Sequence, residues 1–272
     1  IAAVEPGYHP SEVWFAEDGW QAAYKRLTKE RLVAPTLDIL KGEIRPDLVL
    51  WPENSVTSLL SGADIDNGRV GLFLDVFPKV STRLVSGASI SMDGFETPGA
   101  VLIDLQDSRV LAHHHKQRLV PGGEFLPLVG LLPESWANSV RQGFQKALGT
   151  PANQRPGLPR PPMRTADGVL FGALLCYDNA FPAPAAAQVE AGAEFLVVLS
   201  NEAWYRGGAE LTQLVAMTVV RALENVVPVV RCTLDGHTVA VDASGQVVAG
   251  LEIATAPQPS ARFLEVLIEP SE

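Results

Sequence analysis

Short apolar runs recur along the chain, separated by longer stretches in which apolar residues return every three or four positions. Runs at 1–4, 48–51, 84–90, 100–105, 110–114, 169–175 and 195–199 predict β-strands, and 227–232, 238–241, 246–251 and 263–268 continue the series. Helical spacing fills 16–40, 182–191 and 211–225. In the first of these, Trp20, Tyr24 and Leu27 fall at i, i+4 and i+7 and form one stripe. Pro35 is expected to break that helix in two. The stretch 211–220 is apolar around most of its circumference and is expected to be buried on more than one side.

Strands alternating with helices, many of them β-branched, predict a mixed α/β sheet covered by helices. Hairpin-like runs over 84–115 and 227–251 add antiparallel character, with turns marked by Gly94, Gly236 and Gly245. No internal repeat is present. The segment 149–164 carries prolines at 151, 156, 159, 161 and 162 and predicts a covering loop within one domain that spans 1–272.

Composition narrows the function classes. With 272 residues, 47% hydrophobic and 19% charged, the chain can bury a large core and is not disordered. A formal net charge of −10 argues against nucleic acid as a partner and against charge-driven attachment to an anionic bilayer. Two cysteines, Cys176 and Cys232, are too few for a disulfide scaffold, and Cys232 reads as inert core. No apolar run approaches the roughly eighteen residues that a membrane helix needs, and no signal peptide is visible. The chain starts at Ile1 inside a predicted strand, which suggests a piece of something longer.

Candidate chemistry lies at the ends of three apolar runs: Glu53 after Leu-Val-Leu-Trp-Pro, Lys116 after Val-Leu-Ala-His-His-His, and Cys176 after Val-Leu-Phe-Gly-Ala-Leu-Leu. Strand ends are where α/β folds place reactive groups. A thiol is a weak nucleophile until a base takes its proton, and Glu53 can serve as that base and later as the acid. Attack on an acyl carbon builds an oxyanion, which Lys116 and the backbone N–H of Tyr177 can stabilise. A lone buried cysteine is more often packing than chemistry, but the three roles require one another. His113, His114 and His115 do not form a metal site, because successive strand residues point to opposite faces. A Cys–His pairing lacks an orienting third group. Gly122 and Gly123 read as a turn, since no phosphate-loop Lys-Ser/Thr follows.

The segments Trp-Pro-Glu (51–53), His-Lys-Gln-Arg-Leu-Val-Pro-Gly-Gly-Glu (115–124) and Leu-Cys-Tyr-Asp (175–178) resemble the three signature segments of the carbon–nitrogen hydrolase, or nitrilase, superfamily. Within it the chain is most similar to the extracytoplasmic domain of the bacterial apolipoprotein N-acyltransferases, a likeness that extends to 200–205 and 221–225. The resemblance implies an αββα sandwich and no cofactor or metal. It implies a thioester on Cys176 and transfer of a phospholipid acyl chain to the amine of a lipoprotein, at the extracytoplasmic face of the inner membrane. Membrane contact would then come through segments outside this chain. It makes Glu124 a second functional glutamate and Trp14 a substrate-binding residue.

Asp178, where the family usually has Glu, and Glu202 in Asn-Glu-Ala-Trp-Tyr, where it usually has Asp, depart from the pattern. Trp204 and Tyr205 either line a pocket or fill core. Glu124 either orients Lys116 or the attacking amine or water, or forms a structural ion pair with Arg118. The apolar segment 125–132, with Trp136, is either core or a lid that meets lipid. Two other readings accompany acyl transfer: a stand-alone cytoplasmic amidase or nitrilase acting on a small amide or nitrile, and a non-catalytic lipid- or lipoprotein-binding domain.

Overall fold

Phe195, Val197 and Leu199 of one strand face one side of a sheet while Leu196 and Val198 face the other, and all five are buried. That is why the strand reads as an unbroken apolar run: both faces of its sheet are covered. The computed structural model describes residues 1–61, 65, 74–92, 95–148, 152–252, 258 and 260–269. Gly94 lies outside the described residues, as does part of the proline-rich segment.

In the described residues two six-stranded sheets pack face to face. The first holds β1 (Ala2–Glu5), β2 (Leu48–Ser61), β3 (Arg83–Met92), β4 (Phe95–Asp104), β5 (Arg109–His115) and, beside β1, β12 (Arg262–Glu265). The second holds, in spatial order, β11 (Val247–Gly250), β10 (Val239–Val241), β9 (Val229–Thr233), β8 (Phe195–Ser200), β7 (Leu170–Leu175) and β6 (Met163–Arg164). Leu48, Leu50 and Val85 of the first sheet meet Phe171, Leu199 and Val230 of the second in the central layer, where Cys232 also sits as expected. Burial of each such side chain contributes roughly 1.5–3 kcal/mol.

Helix α3 (Ala34–Lys41) packs on the first sheet, α1 (Pro10–Trp14) and α2 (Trp20–Thr28) pack together in a separate cluster with Tyr8 and Leu234, and α5 (Pro182–Glu190) and α6 (Glu210–Asn225) cover the second sheet. The remaining helix, α4 (Glu134–Leu148), follows the apolar segment. This is the αββα sandwich.

Three expectations change. Pro35 does not split its helix: α2 and α3 are joined by one π-helical turn, Lys29–Val33, in which the Ala34 N–H reaches back five residues to the Lys29 carbonyl. The wider turn makes room for a proline that brings no N–H of its own. Helix α6 buries only one side, with Leu211, Thr218 and Ala222 inside and Val220 and Leu223 exposed. And Glu53 does not end its strand. β2 runs on to Ser61, with its register to β3 jumping from Trp51↔Ser86 to Val56↔Ala88, so four residues, 52–55, lie opposite Gly87 alone.

Glu53 is carried on that bulge. Asn54 adopts a φ of 61°, the Ser55 hydroxyl donates to the Pro52 carbonyl (2.8 Å), and the Tyr24 hydroxyl from α2 donates to the Ser55 carbonyl. A Cβ at Gly87 would stand 2.5 Å from the Glu53 Cα and 2.6 Å from the Pro52 oxygen. Both are backbone atoms, so nothing flexible can yield. Gly87→Ala is therefore expected to push Glu53 out of place, costing about 1–3 kcal/mol and slowing alkylation of Cys176. A thermal melt and an alkylation rate equal to those of the parent would show that the bulge does not depend on this glycine.

Candidate active site

Lys116, the first residue after β5, is fully buried, and burial alone would lower its pKa. It is held as an ammonium well above its ordinary value by Glu53, Cys176 and Glu124. Its Nζ donates to Glu53 Oε1 at 2.9 Å and to Glu124 Oε1 at 2.6 Å. Glu124 thus pairs with Lys116 rather than with Arg118, and its second oxygen accepts the Val120 N–H (2.8 Å). Burial raises the Glu124 pKa, against the pull of Lys116. The second oxygen of Glu53 accepts the backbone N–H of Asn201 (3.2 Å), across 148 residues of sequence.

Cys176 follows β7 and opens a short 3₁₀ turn, Cys176–Ala180, before α5. Its φ of 44° lies in the left-handed region that residues with a Cβ avoid. Strain of this kind marks places where the surrounding structure dictates the backbone, and functional sites are enriched in it. The thiol is pushed up to about 11 by burial and by the Glu53 carboxylate, against Lys116 and the neighbouring Ser200 hydroxyl. At neutral pH the sulfur therefore rests as a thiol. His114 and His115 are driven down to about 4, chiefly by burial, and stay neutral. Alkylation of Cys176 by iodoacetamide is expected to climb steadily with pH toward about 11. A plateau near neutrality, the mark of an imidazole-paired thiolate, would contradict this environment.

Asp178 ties the two segments together. Its buried carboxylate accepts the N–H groups of Gln117 (3.1 Å), Arg118 (2.7 Å) and Leu175 (3.2 Å), so the loop after Lys116 and the turn of Cys176 share one anchor. Burial pushes its pKa up to about 6 even so. The proline-rich segment crosses the same region. The Gly157 N–H donates to the Lys116 carbonyl (2.9 Å), and a Cβ on Gly157 would meet His115 Cβ at 2.2 Å. It is a covering loop, as its composition predicts.

Around this cluster the aromatic residues are open rather than core. Trp14 and Trp204 are each half exposed with ring centroids 5.1 Å apart, and His9 meets Trp204 edge-on. Tyr205 is 40% exposed, and its hydroxyl pKa is raised by burial and by Cys176. Tyr177 packs edge-on against Phe181 (5.1 Å) and lines a mostly apolar cavity of about 360 Å³ with Gln117, Arg118, Leu119 and Phe125. In the segment past Glu124, Leu128 (76%), Leu131 (81%) and Trp136 (67%) are exposed, and only Val129 and Ala137 are buried. The core reading therefore fails for those three side chains. Among the described residues, no group of three or more His, Cys, Asp or Glu is placed to hold a metal.

Three contributors went unforeseen. Ser200 and Asn201 lie in a segment that the resemblance already covers, but nothing local says that they face Cys176 and Glu53. Gly87 carries no sequence signal at all.

The arrangement joins a thiol, a carboxylate and a buried ammonium, groups suited to thiol acyl transfer or amide cleavage. The carbon-nitrogen hydrolase family model matches residues 21–256, and the chain belongs to that family. Among its relatives is the apolipoprotein N-acyltransferase of Geobacter metallireducens, 28% identical over 233 residues, covering 83% of this chain and 40% of the relative. The enzyme of the same name from Brucella melitensis is 28% identical over 240 residues, covering 86% and 43%. The chain thus spans about two fifths of the length of these relatives. Similar solved structures include Saccharomyces cerevisiae Nit3 (TM-score 0.61, 17% identity, 97% of this chain and 88% of that one). The C. elegans NitFhit protein has a TM-score of 0.60 at 20% identity, covering 97% and 59%. A variant of the amidase from Nesterenkonia sp. AN1 has a TM-score of 0.57 at 19% identity, covering 98% and 89%. At such identities these likenesses establish the fold. Among the described residues no helix is long and apolar enough to cross a membrane.

Proposed function

We propose that this chain transfers an acyl group from a phospholipid to the N-terminal amine of an apolipoprotein through a thioester on Cys176. The observation that carries the reading is the Glu53–Lys116–Glu124 ion-pair cluster beside a strained Cys176, in a chain whose relatives bear the name apolipoprotein N-acyltransferase.

The Cys176 sulfur attacks the ester carbonyl as Glu53 takes the thiol proton. The oxyanion forms against Lys116 and the Tyr177 N–H. Collapse expels the lysophospholipid alkoxide, which takes the proton from Glu53 and leaves as an alcohol. The acceptor amine then attacks the thioester, Glu53 receives its proton, and the released thiolate is reprotonated. Glu124 holds Lys116 in place. Trp14, Trp204 and Tyr205 form an aromatic wall for substrate, and Asp178 holds the Tyr177 turn. On this reading the protein acts at the extracytoplasmic face of the inner membrane, with membrane contact supplied in part beyond this chain.

Intact-mass measurement after incubation with phosphatidylethanolamine vesicles tests it. A hydroxylamine-labile adduct of one acyl chain on Cys176 is expected. Turnover of a small amide without that adduct would move the assignment to an amidase. One observation favours that second reading: the fold is shared with an amidase in which the acetamide moiety of fluoroacetamide adds covalently to the active-site cysteine.

The exposed leucines suggest how a lipid donor is admitted. Each apolar side chain that leaves water contributes roughly 1.5–3 kcal/mol, and a net charge of −10 offers no electrostatic substitute at an anionic surface. Replacing Leu131 and Leu132 with Ser is expected to weaken acylation by vesicle lipid while sparing a short water-soluble ester. Equal loss with both donors, or no loss with either, would remove the segment from donor access.

A further inference from the structure

Behind the nucleophile lies a charged pair that the reaction as written does not use. Glu202 and Arg231 are both fully buried, one just after β8 and the other in the middle of β9, and they form an ion pair in the interior. Such a pair is expensive: the desolvation of two charges rivals their attraction, and well-packed apolar residues in their place often leave a protein as stable or more so. Its retention therefore calls for a reason other than stability.

The contacts supply one. Glu202 Oε1 accepts from the Ser200 hydroxyl at 3.0 Å, and Ser200 stands beside Cys176, each following the paired residues Leu199 and Leu175 of the parallel strands β8 and β7. On the far side, Arg231 Nη1 donates to Thr218 Oγ1 of α6 at 3.2 Å. The same oxygen accepts from Asn179 Nδ2 at 2.9 Å and donates to the Leu214 carbonyl at 3.0 Å, so that hydroxyl is fully used. Asn179 belongs to the 3₁₀ turn that Cys176 opens. The chain of bonds thus starts at Ser200 beside Cys176, passes through the ion pair and α6, and returns to the nucleophile's own turn. Gly236 admits the pair: a Cβ there would meet Glu202 Oε2 at 2.6 Å.

We infer that Glu202 and Arg231 are positioning residues, which hold Ser200 on one side of the Cys176 sulfur and the Cys176–Ala180 turn on the other. The inference rests on Cys176 being the nucleophile and deepens that reading. It also accounts for the backbone at Cys176, since a φ of 44° needs an outside constraint. The charged and titratable groups acting on the sulfur are Glu53, Lys116, Glu124 and Arg231, with Tyr205 nearby. Arg231 thus adds a second buried cation to Lys116.

Two variants test this, each followed by the rate of Cys176 alkylation against pH, located by peptide mass, with near-UV circular dichroism and Tm as folding controls. The double variant Glu202→Leu/Arg231→Met removes both charges together, and a purely structural pair should lose little by that exchange. Thr218→Val removes one hydroxyl at constant shape and cuts the link between Arg231 and Asn179. Both are expected to slow alkylation roughly tenfold to a hundredfold, the scale on which small displacements of reacting groups act. The pH profile of the double variant should also depart from the parent's, since Ser200 and the Cys176–Ala180 turn lose their shared anchor. Folded variants with the parent rate and profile would overturn the inference, and Thr218→Val alone decides if the double variant does not fold. Glu53→Gln runs alongside. If it is acylated by a phospholipid donor as fast as the parent, the assignment of Glu53 as base fails; if it is not, and the two variants keep the parent alkylation rate and profile, the base stands and the positioning role is lost.

Discussion

Lys116→Met is expected to abolish thioester formation for practical purposes and to destabilise the protein at neutral pH. Removing one donor to a developing oxyanion costs ~10²–10³ in rate. Here the loss is larger in kind, because the same Nζ also separates Glu53 from Glu124 at 2.9 and 2.6 Å. Without the ammonium the buried Glu53 faces the partly buried Glu124 with no cation between them, and breaking a buried pair by deleting one partner costs about 3–5 kcal/mol.

The pH dependence has a definite sign. Burial already raises the Glu124 pKa above 4.5 in the presence of Lys116, and loss of the cation raises it further. A carboxyl whose folded pKa lies above its unfolded one contributes stability at low pH and loses it as pH rises through the folded value. The deficit in Tm relative to the parent should therefore be small in acid and widen toward neutrality. A constant deficit across that range would mean that Lys116 contributes packing rather than charge.

Cys176→Ala is expected to form no thioester while unfolding close to the parent temperature. The substitution removes only the sulfur, and alanine keeps the Cβ that makes a φ of 44° uncomfortable, so the backbone strain is unchanged. Cys176→Gly provides the contrast. It is equally inactive but free of that strain, which is worth roughly 1–2 kcal/mol at a left-handed position, so it should melt above the alanine variant. Intact mass with a phospholipid donor and a thermal melt on both proteins read the two effects separately. Residual acylation of either variant would remove Cys176 from the chemistry. A collapsed Tm in the alanine variant would make the sulfur part of the packing.

Much of this architecture is local and therefore legible in the chain. Runs such as 195–199 stay apolar at every position because their sheet is covered on both faces, and strand ends can be seen where those runs stop. Lys116 and Cys176 stand at two such ends, directly after β5 and β7. The polarity of α6 misled for a related reason. Apolar residues around most of a helix suggest burial, but only packing shows that Val220 and Leu223 have no cover. The helix α4 was missed because its recurring Trp136 and Val140 follow an apolar segment without a clear boundary, and both are exposed.

What the sequence determined by itself is the alternation of strands and helices, the standing of Lys116 and Cys176 at strand ends, and a covering proline-rich segment, since each depends on periodicity or on residue type where an apolar run stops; the αββα layering came with the family resemblance. The tertiary structure decided the rest. It chose Lys116 over Arg118 as the partner of Glu124, because the loop after Lys116 is folded back and pinned by Asp178. It placed Glu53 on a bulge rather than at a strand end, with the bulge lying where Gly87 on the neighbouring strand has no Cβ to block it. It brought Glu202, Arg231, Thr218 and Asn179 into one buried chain of bonds behind the sulfur. Bulges, ion-pair partners and buried networks arise from contacts between distant segments, as when Asn201 meets Glu53 across 148 residues, and no local pattern encodes such a meeting.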